Sequence, residues 1–463
     1  MPGFPVVPVE MMPKDWWSCV GHRQAEAART WRPSRRDLFT GAGMALAAWA
    51  GRNSALADVA ISGQGKDRPH DVLVTIFLRG GADGLNAIVP YAEDAYYRNR
   101  PNLSIAPPKD GRTNASARIL DLNGFFGLHP ALAPILPIYK DGKLAVVHAC
   151  GSQDGTRSHF EAMAAVERGL AAEGPGPSSG WIARHLASTE RTEDSPLRAV
   201  AFGGTLPDSL RGASNTVALE SIDDFQLKTP DDKRRHYEEA LLGLYKQSKD
   251  EVAHAGQETL AVLETLRRID PNQYKPSNGA KYPDTDLGTG MRQTACLIRA
   301  NLGLEVAALD RGGWDTHFAQ GSTVGILSLS LDDLGRSLGA FSADLGTEMS
   351  HVTVVVLTEF GRRVAENSGL GTDHGRASFM LLMGGGTKGG QVHAKWPGLE
   401  ASQLDETGDL RVTTDYRDVL SEVLAKRMRN NRLESVFVNY KPNPVGLIGS
   451  ADDPSNGIQF FIH

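Results

Sequence analysis

The feature that most constrains this chain is a repeated one. An unbroken run of apolar residues, rich in valine and leucine, ends abruptly in a group of glycines and polar side chains. Asp71-Val-Leu-Val-Thr-Ile-Phe-Leu78 runs into Arg79-Gly-Gly-Ala-Asp-Gly-Leu-Asn86, and Lys143-Leu-Ala-Val-Val-His148 into Ala-Cys-Gly-Ser152. Leu304-Glu-Val-Ala-Ala-Leu309 leads to Gly312-Gly-Trp-Asp-Thr-His317, and His351-Val-Thr-Val-Val-Val-Leu357 to Thr358-Glu-Phe-Gly-Arg362. Runs apolar at nearly every position, not at alternate ones, predict strands buried on both faces, which belong to parallel sheets covered by helices. Helical spacing is found at 128–140, 158–167, 291–302, 323–345 and from Thr413 to about 430. The expected fold is therefore α/β, with a mostly parallel central sheet flanked by helices. The stretch from about 219 to 292 differs: it is charged, with leucines at helical spacing (Leu241, Leu244; Leu260, Leu263), and predicts a helical insertion within one large domain. No internal repeat of fixed period is present.

In parallel α/β sheets the carboxyl ends of the strands line the ligand crevice, so these separated polar groups are expected to meet there. Asp83, Asn86 and His148 fall among them. Asp315 and His317, two apart on an extended segment, share a face, and Asp373-His374 is a second such couple beside Gly371 and Gly375. Carboxylate oxygen with imidazole nitrogen suits a divalent metal, and Asp315, His317 and His374, supported by Asp373 or Glu359, make a sensible ligand set. The same residues could equally form an Asp–His hydrogen-bond network that braces the crevice. Ser158, between Arg157 and His159 at a helix start, is a candidate nucleophile, with His159 as nucleophile or base. Ser158 also has the position of an N-cap, with Glu161 completing a capping box. Arg79, Arg157 and Arg362 suit phosphate or sulfate oxygens, while ion pairs are the alternative for Arg79, with Asp83, and for Arg362, with Glu359. Gly176-Pro-Ser-Ser-Gly180 lies in a Pro/Gly loop and is not read as a nucleophile elbow, and Gly384 to Gly390 lacks the order of a P-loop.

The N-terminus changes what composition means. Ser34-Arg-Arg-Asp-Leu-Phe39 is followed by 14 uncharged residues from Leu38 to Gly51, diluted by glycine and too short to span a bilayer, and then by Ala55-Leu-Ala57. That order reads as a twin-arginine export signal, so residues 1–57 are expected to be a cleaved leader and 58–463 the folded chain. The leader holds seven of the 49 basic and four of the 55 acidic residues, which leaves the remainder at a net charge of −9. An acidic chain without a basic stripe is not expected to bind nucleic acid. Three cysteines without a CxxC pair exclude a disulfide scaffold and a zinc ribbon. A periplasmic or secreted protein with no transmembrane segment is expected, with the twin-arginine translocation machinery as its partner during export.

The leader, FLRGGADGLN at 77–86, RSHF at 157–160, GGWDTH at 312–317, LTEFGR at 357–362, TDHGR at 372–376, GGGTKGG at 384–390 and VTTDYR at 412–417 together resemble the exported bacterial family called domain of unknown function 1501. The resemblance runs in order along nearly the whole chain after the leader. It implies an alkaline-phosphatase-like fold, shared with sulfatases and phosphomutases, in which Asp315 and His317 would be one metal group and His374 the later histidine. Arg79-Gly-Gly stands where those enzymes carry a metal-binding Asp, and Thr358-Glu-Phe-Gly where they carry Asp-His. One metal site or none, not two, is what this departure implies.

The function expected is that of an exported metal-dependent hydrolase of phosphate or sulfate esters, acting on a small-molecule or glycan ester. The alternatives are a catalytically degenerate binding or assembly protein with the same fold, and a metal-free carbohydrate hydrolase using Asp83 and Glu359.

Overall fold

The computed structural model describes residues 71–449, apart from 173, 190–194, 196, 215, 223–233, 248–250 and 270–272. The arginine pair and apolar run of the expected leader lie outside these residues. Among the described residues twelve strands occur in chain order: β1 (Val72–Leu78), β2 (Ile88–Val89), β3 (Leu120–Asp121), β4 (Gly127–Leu128), β5 (Leu144–Gly151), β6 (Ala199–Phe202), β7 (Thr216–Leu219), β8 (Val306–Arg311), β9 (Val352–Thr358), β10 (Ser378–Gly384), β11 (Val392–His393) and β12 (Thr414–Asp415). Nine form one sheet in the order β11-β5-β10-β9-β1-β8-β6-β7, with β12 also on β5, and β2, β4 and β3 make a small antiparallel sheet. In the large sheet β10 alone runs antiparallel to its neighbours, β9 and β5. The others are parallel. This is the mostly parallel, helix-flanked sheet that the apolar runs predict.

Those runs are apolar throughout because both faces are covered. Along β1, Val72, Val74, Ile76 and Leu78 enter one buried cluster with Val352, Val354 and Val356 of β9. Leu73 and Phe77 point the other way, into a second cluster with Val355 and Leu357. Helices Asp286–Ala300 and Ile326–Leu345 pack over the first face, and Trp181–Ser188 and Tyr416–Lys426 over the second. Within the stretch read as an insertion, helices Arg234–Lys246 and Glu251–Arg268 pack on each other, and Val262 and Leu266 reach the first cluster. The helix expected over 128–140 is a 3-10 helix, Pro130–Ile135, followed by Leu136–Lys140. Pro134 and Pro137 lack the N–H that would make it one continuous α-helix.

Two parts of this topology position the crevice. Because β8, β1 and β9 are adjacent and parallel, their carboxyl ends lie side by side, with Leu78 in register with both Arg311 and Thr358. Because β10 runs the other way, the segment leading into it, not the one leaving it, arrives at the same edge: Ser378 lies opposite Cys150 at the end of β5.

Candidate metal centre

The side chains of the cluster are delivered by three different strand ends. The loop after β8 carries Asp315 and His317, and helix His159–Glu167, which follows β5, carries His159 at its first position. The lead-in to β10 carries Asp373 and His374. It is pinned by a short ladder in which Gly375 N–H donates to Gly361 O at 2.9 Å and Arg363 N–H to Asp373 O at 2.9 Å. Two glycines permit the approach: a Cβ on Gly80 would lie 2.5 Å from the Asp315 nitrogen, and one on Gly371 2.4 Å from the His317 carbonyl.

Asp315 is the hub. Its Oδ1 accepts from Arg362 Nη2 at 2.6 Å and lies 3.1 Å from the Nε2 atoms of both His317 and His374. His159 Nε2, buried, stands 3.5 Å away. The other ring nitrogen of each histidine faces a group that can only accept. His159 Nδ1 is 2.8 Å from Glu359 Oε1, His317 Nδ1 3.0 Å from Asp373 Oδ1, and His374 Nδ1 2.7 Å from the Arg157 carbonyl. Each Nδ1 must therefore carry its proton, and in the neutral ring each Nε2 presents a lone pair. Three lone pairs and a carboxylate oxygen then converge, with His317 Nε2 and His374 Nε2 only 2.8 Å apart. Such an arrangement repels itself unless a positive charge sits among the donors. Anchoring the remote nitrogen on a carboxylate or carbonyl is also what fixes imidazoles as metal ligands.

The electrostatics agree. Burial alone would lower the pKa of His159, but its hydrogen bonds to Asp315 and Glu359 outweigh that and raise it to about 9. The hydrogen bond to Asp315 also raises that of His317. Burial would raise the Asp315 pKa, yet hydrogen bonds from His159, His317 and His374 and the charge of Arg362 hold it well below the carboxylate range. The cluster draws positive charge, whether as a proton or a cation. His159, Asp315 and His374 each offer a donor atom within 4.8 Å of the others and could hold an ion, with His317 beside them. The mouth lies on the His317 side, where the His317 and Asp373 side chains are 41% and 51% exposed, while Glu359 is fully buried behind His159.

The remaining candidates have other surroundings. Ser158 caps its helix, with Oγ accepting from Glu161 N–H at 3.5 Å, while the Glu161 carboxylate turns to Thr156 and not back to Ser158. Arg362 is buried, and its donors go to the carbonyls of Gly80, Gly81, Trp314 and Thr372 as well as to Asp315. Its ion-pair partner is thus Asp315 and not Glu359. Arg79 is held by Glu167 at 3.1 Å and Asp310 at 2.9 Å, not by Asp83, and Arg157 reaches Asp409 at 2.5 Å. Asp83 and Asn86 are fully buried in a network around Arg100, which sequence reasoning did not single out. His148 is a satisfied core residue: Nδ1 accepts from Ala149 N–H, Nε2 faces the Ile88 carbonyl at 2.9 Å, and burial lowers its pKa to about 4. Sequence reasoning marked His159 as nucleophile or base. Among the donor atoms it packs on Phe360, which lies against both His159 and His374 at 4.8 and 4.9 Å. No spacing in the sequence carries that contact.

No helix among the described residues is long and apolar enough to cross a membrane. Comparison with curated proteins gives no match. Among solved structures the chain is similar to a mutant of the TAB5 alkaline phosphatase with magnesium bound, at 11% identity over 68% of this chain and 90% of that one, with a TM-score of 0.25. A likeness that slight carries no argument about fold or activity. The sequence matches a family described as "Protein of unknown function (DUF1501)" over residues 70–438, which takes in every strand of the sheet and all of the donor cluster, and the chain belongs to that family.

Proposed function

We propose that the protein is an exported hydrolase of phosphate or sulfate esters that depends on one divalent metal ion, held by His159, Asp315 and His374 with His317 beside them. The observation that carries this reading is the orientation of the three imidazoles, each with Nδ1 bound to an acceptor and Nε2 turned toward Asp315. A set rich in imidazole suits Zn²⁺ or Fe²⁺ better than Mg²⁺. When bound, such an ion supplies Lewis acidity toward an ester oxygen and makes a bound water more acidic. The chain's own part is to orient and balance charge. Glu359, Asp373 and the Arg157 carbonyl hold the Nδ1 protons, Arg362 offsets the charge of Asp315, and the His317 side stays open to an incoming small-molecule or glycan ester.

Elemental analysis of the purified protein tests the reading. One equivalent of metal is expected, falling at least tenfold in His159→Ala and His374→Ala, together with chelator-sensitive turnover of p-nitrophenyl phosphate or sulfate. A protein that holds no metal, and that added Zn²⁺, Mn²⁺ or Fe²⁺ neither stabilises nor activates, would overturn it. The export half is tested by replacing Arg35 and Arg36 with lysines, which should retain the protein in the cytoplasm; unchanged fractionation would remove the signal.

One observation favours a second reading, a binding or assembly protein that has lost the chemistry: Arg79, Arg157 and Arg362 are all engaged by carboxylates of the protein itself. In that case Asp315→Ala, folded and correctly localised, keeps the biological role.

A further inference from the structure

Next in sequence to two of the donors, and on the loop that leads to a third, the chain exposes apolar side chains that a fold ordinarily buries. Phe160, directly after His159, is 61% exposed, and Phe318, directly after His317, is 65% exposed. Leu370 is 52% exposed and stands on the segment that carries Asp373 and His374. The last two lie on interlocked loops: Ala319 N–H donates to Gly369 O and Gln320 N–H to Leu370 O, at 3.1 and 3.0 Å. A Cβ on Gly369 would meet the Phe318 ring at 3.4 Å.

Leu370 adds a second, independent observation. Its φ is +56°, a left-handed conformation that glycine or asparagine adopts readily and that a bulky side chain resists. Ala319 on the facing loop has φ +50°. A leucine that is both strained and exposed contributes nothing to the core, and backbone strain of this kind gathers at ligand-binding positions. Exposed apolar side chains scattered singly need no explanation, but these stand beside successive donors of one site.

We propose that Phe160, Phe318 and Leu370 form an apolar collar that binds the non-polar part of the substrate, so that the site takes amphiphilic esters: an anionic head at the donor cluster and an alkyl or aryl group against the collar. This rests on the reading of the cluster as a site for an anionic ester. The occupant is a soluble amphiphile, because the collar residues adjoin, in sequence, the donors of a polar cluster of which Asp315 and Glu359 are recessed.

The test is binding of n-alkyl phosphonates from methyl to octyl to the full chain, by calorimetry with Zn²⁺ present, and amide exchange with and without octyl phosphonate. Affinity should rise roughly two- to fourfold per methylene while the chain remains in contact with the collar. Exchange should slow in 317–327 and 366–374 with octyl but not with methyl phosphonate. Phe318→Ser and Leu370→Asn should flatten the dependence on chain length. Leu370→Asn suits the left-handed backbone, so folding is not at issue for it. Equal affinity for methyl and octyl phosphonate, or an unaltered slope in both variants, would overturn the collar. So would capture of the protein by phosphatidylglycerol vesicles without any chain-length dependence in solution. The two readings fail separately: a hydrolase without a collar turns over esters with a flat slope, whereas a collar without a hydrolase keeps the slope, and the protection it gives, with no ester turned over.

Discussion

A guanidinium out of water needs an acceptor for each of its donors, and Arg362 finds them on the segments of Gly80, Gly81, Trp314, Thr372 and Asp315. Replacing it with methionine leaves four carbonyls and a carboxylate without their common donor, and should cost about 3–5 kcal/mol in urea denaturation. Arg362→Lys should recover little of this, since a single ammonium cannot serve so many directions. A loss below about 1 kcal/mol for the methionine variant would mean that the segments hold one another without it. Glu359 acts more selectively, because its Oε1 accepts both from Gly80 N–H at 2.8 Å and from His159. Glu359→Gln should keep the fold but weaken metal affinity by roughly 10–100-fold, read by calorimetric titration. At this scale the sequence marked Asp315, His317 and His374 as a group because their types and their strand-end positions were visible. It also marked the arginines, but not the acceptors that engage them. Glu167, Asp310 and Asp409 are ordinary residues in sequence, and only the fold brings them within reach of Arg79 and Arg157.

The buried strands were readable because each must be apolar on both faces, and the ends observed for β1, β5, β8 and β9 fall close to those the apolar runs suggest. What periodicity does not contain is direction. Nothing in Ser378–Gly384 distinguishes an antiparallel strand from a parallel one, yet its reversal is what brings His374 to the crevice. The short strands β2, β3 and β4 were invisible for a simpler reason, since two residues cannot display a period. At the same scale, Ser158 is the cap of helix His159–Glu167. Ser158→Ala should lower stability by about 1 kcal/mol and leave metal stoichiometry as it was. Loss of the ester hydrolysis by several orders of magnitude in that variant, with stability retained, would instead make Ser158 the nucleophile.

For the molecule as a whole, three histidines buried among the described residues, His129, His148 and His185, set the acid limit. Burial lowers the pKa of His129 and His148 to about 4 and, aided by the charge of Arg198, that of His185 to about 3. In the unfolded chain each would take up a proton near its ordinary pKa of about 6.5, so as pH falls below that value the unfolded state gains protons that the folded state refuses. Stability is therefore fully present above about pH 6.5 and is lost as pH drops toward the folded values, by about 2 kcal/mol for each histidine at pH 5. Urea midpoints at pH 7.5, 6 and 5 check this, and a midpoint that does not move would refute it. The overall class, a mostly parallel sheet between helices, was legible from the apolar runs, whereas the convergence of the site was an inference from strand polarity that needed the fold itself. The order of synthesis gives the donor cluster a further property. His159 leaves the ribosome first, Asp315 and His317 follow after a long interval, and His374 emerges last, on the lead-in to the reversed strand β10. No partly made chain can enclose an ion there. An ion held there, as proposed, would be one present where the finished chain folds, and if export carries a folded protein, that choice would be made before the membrane is crossed.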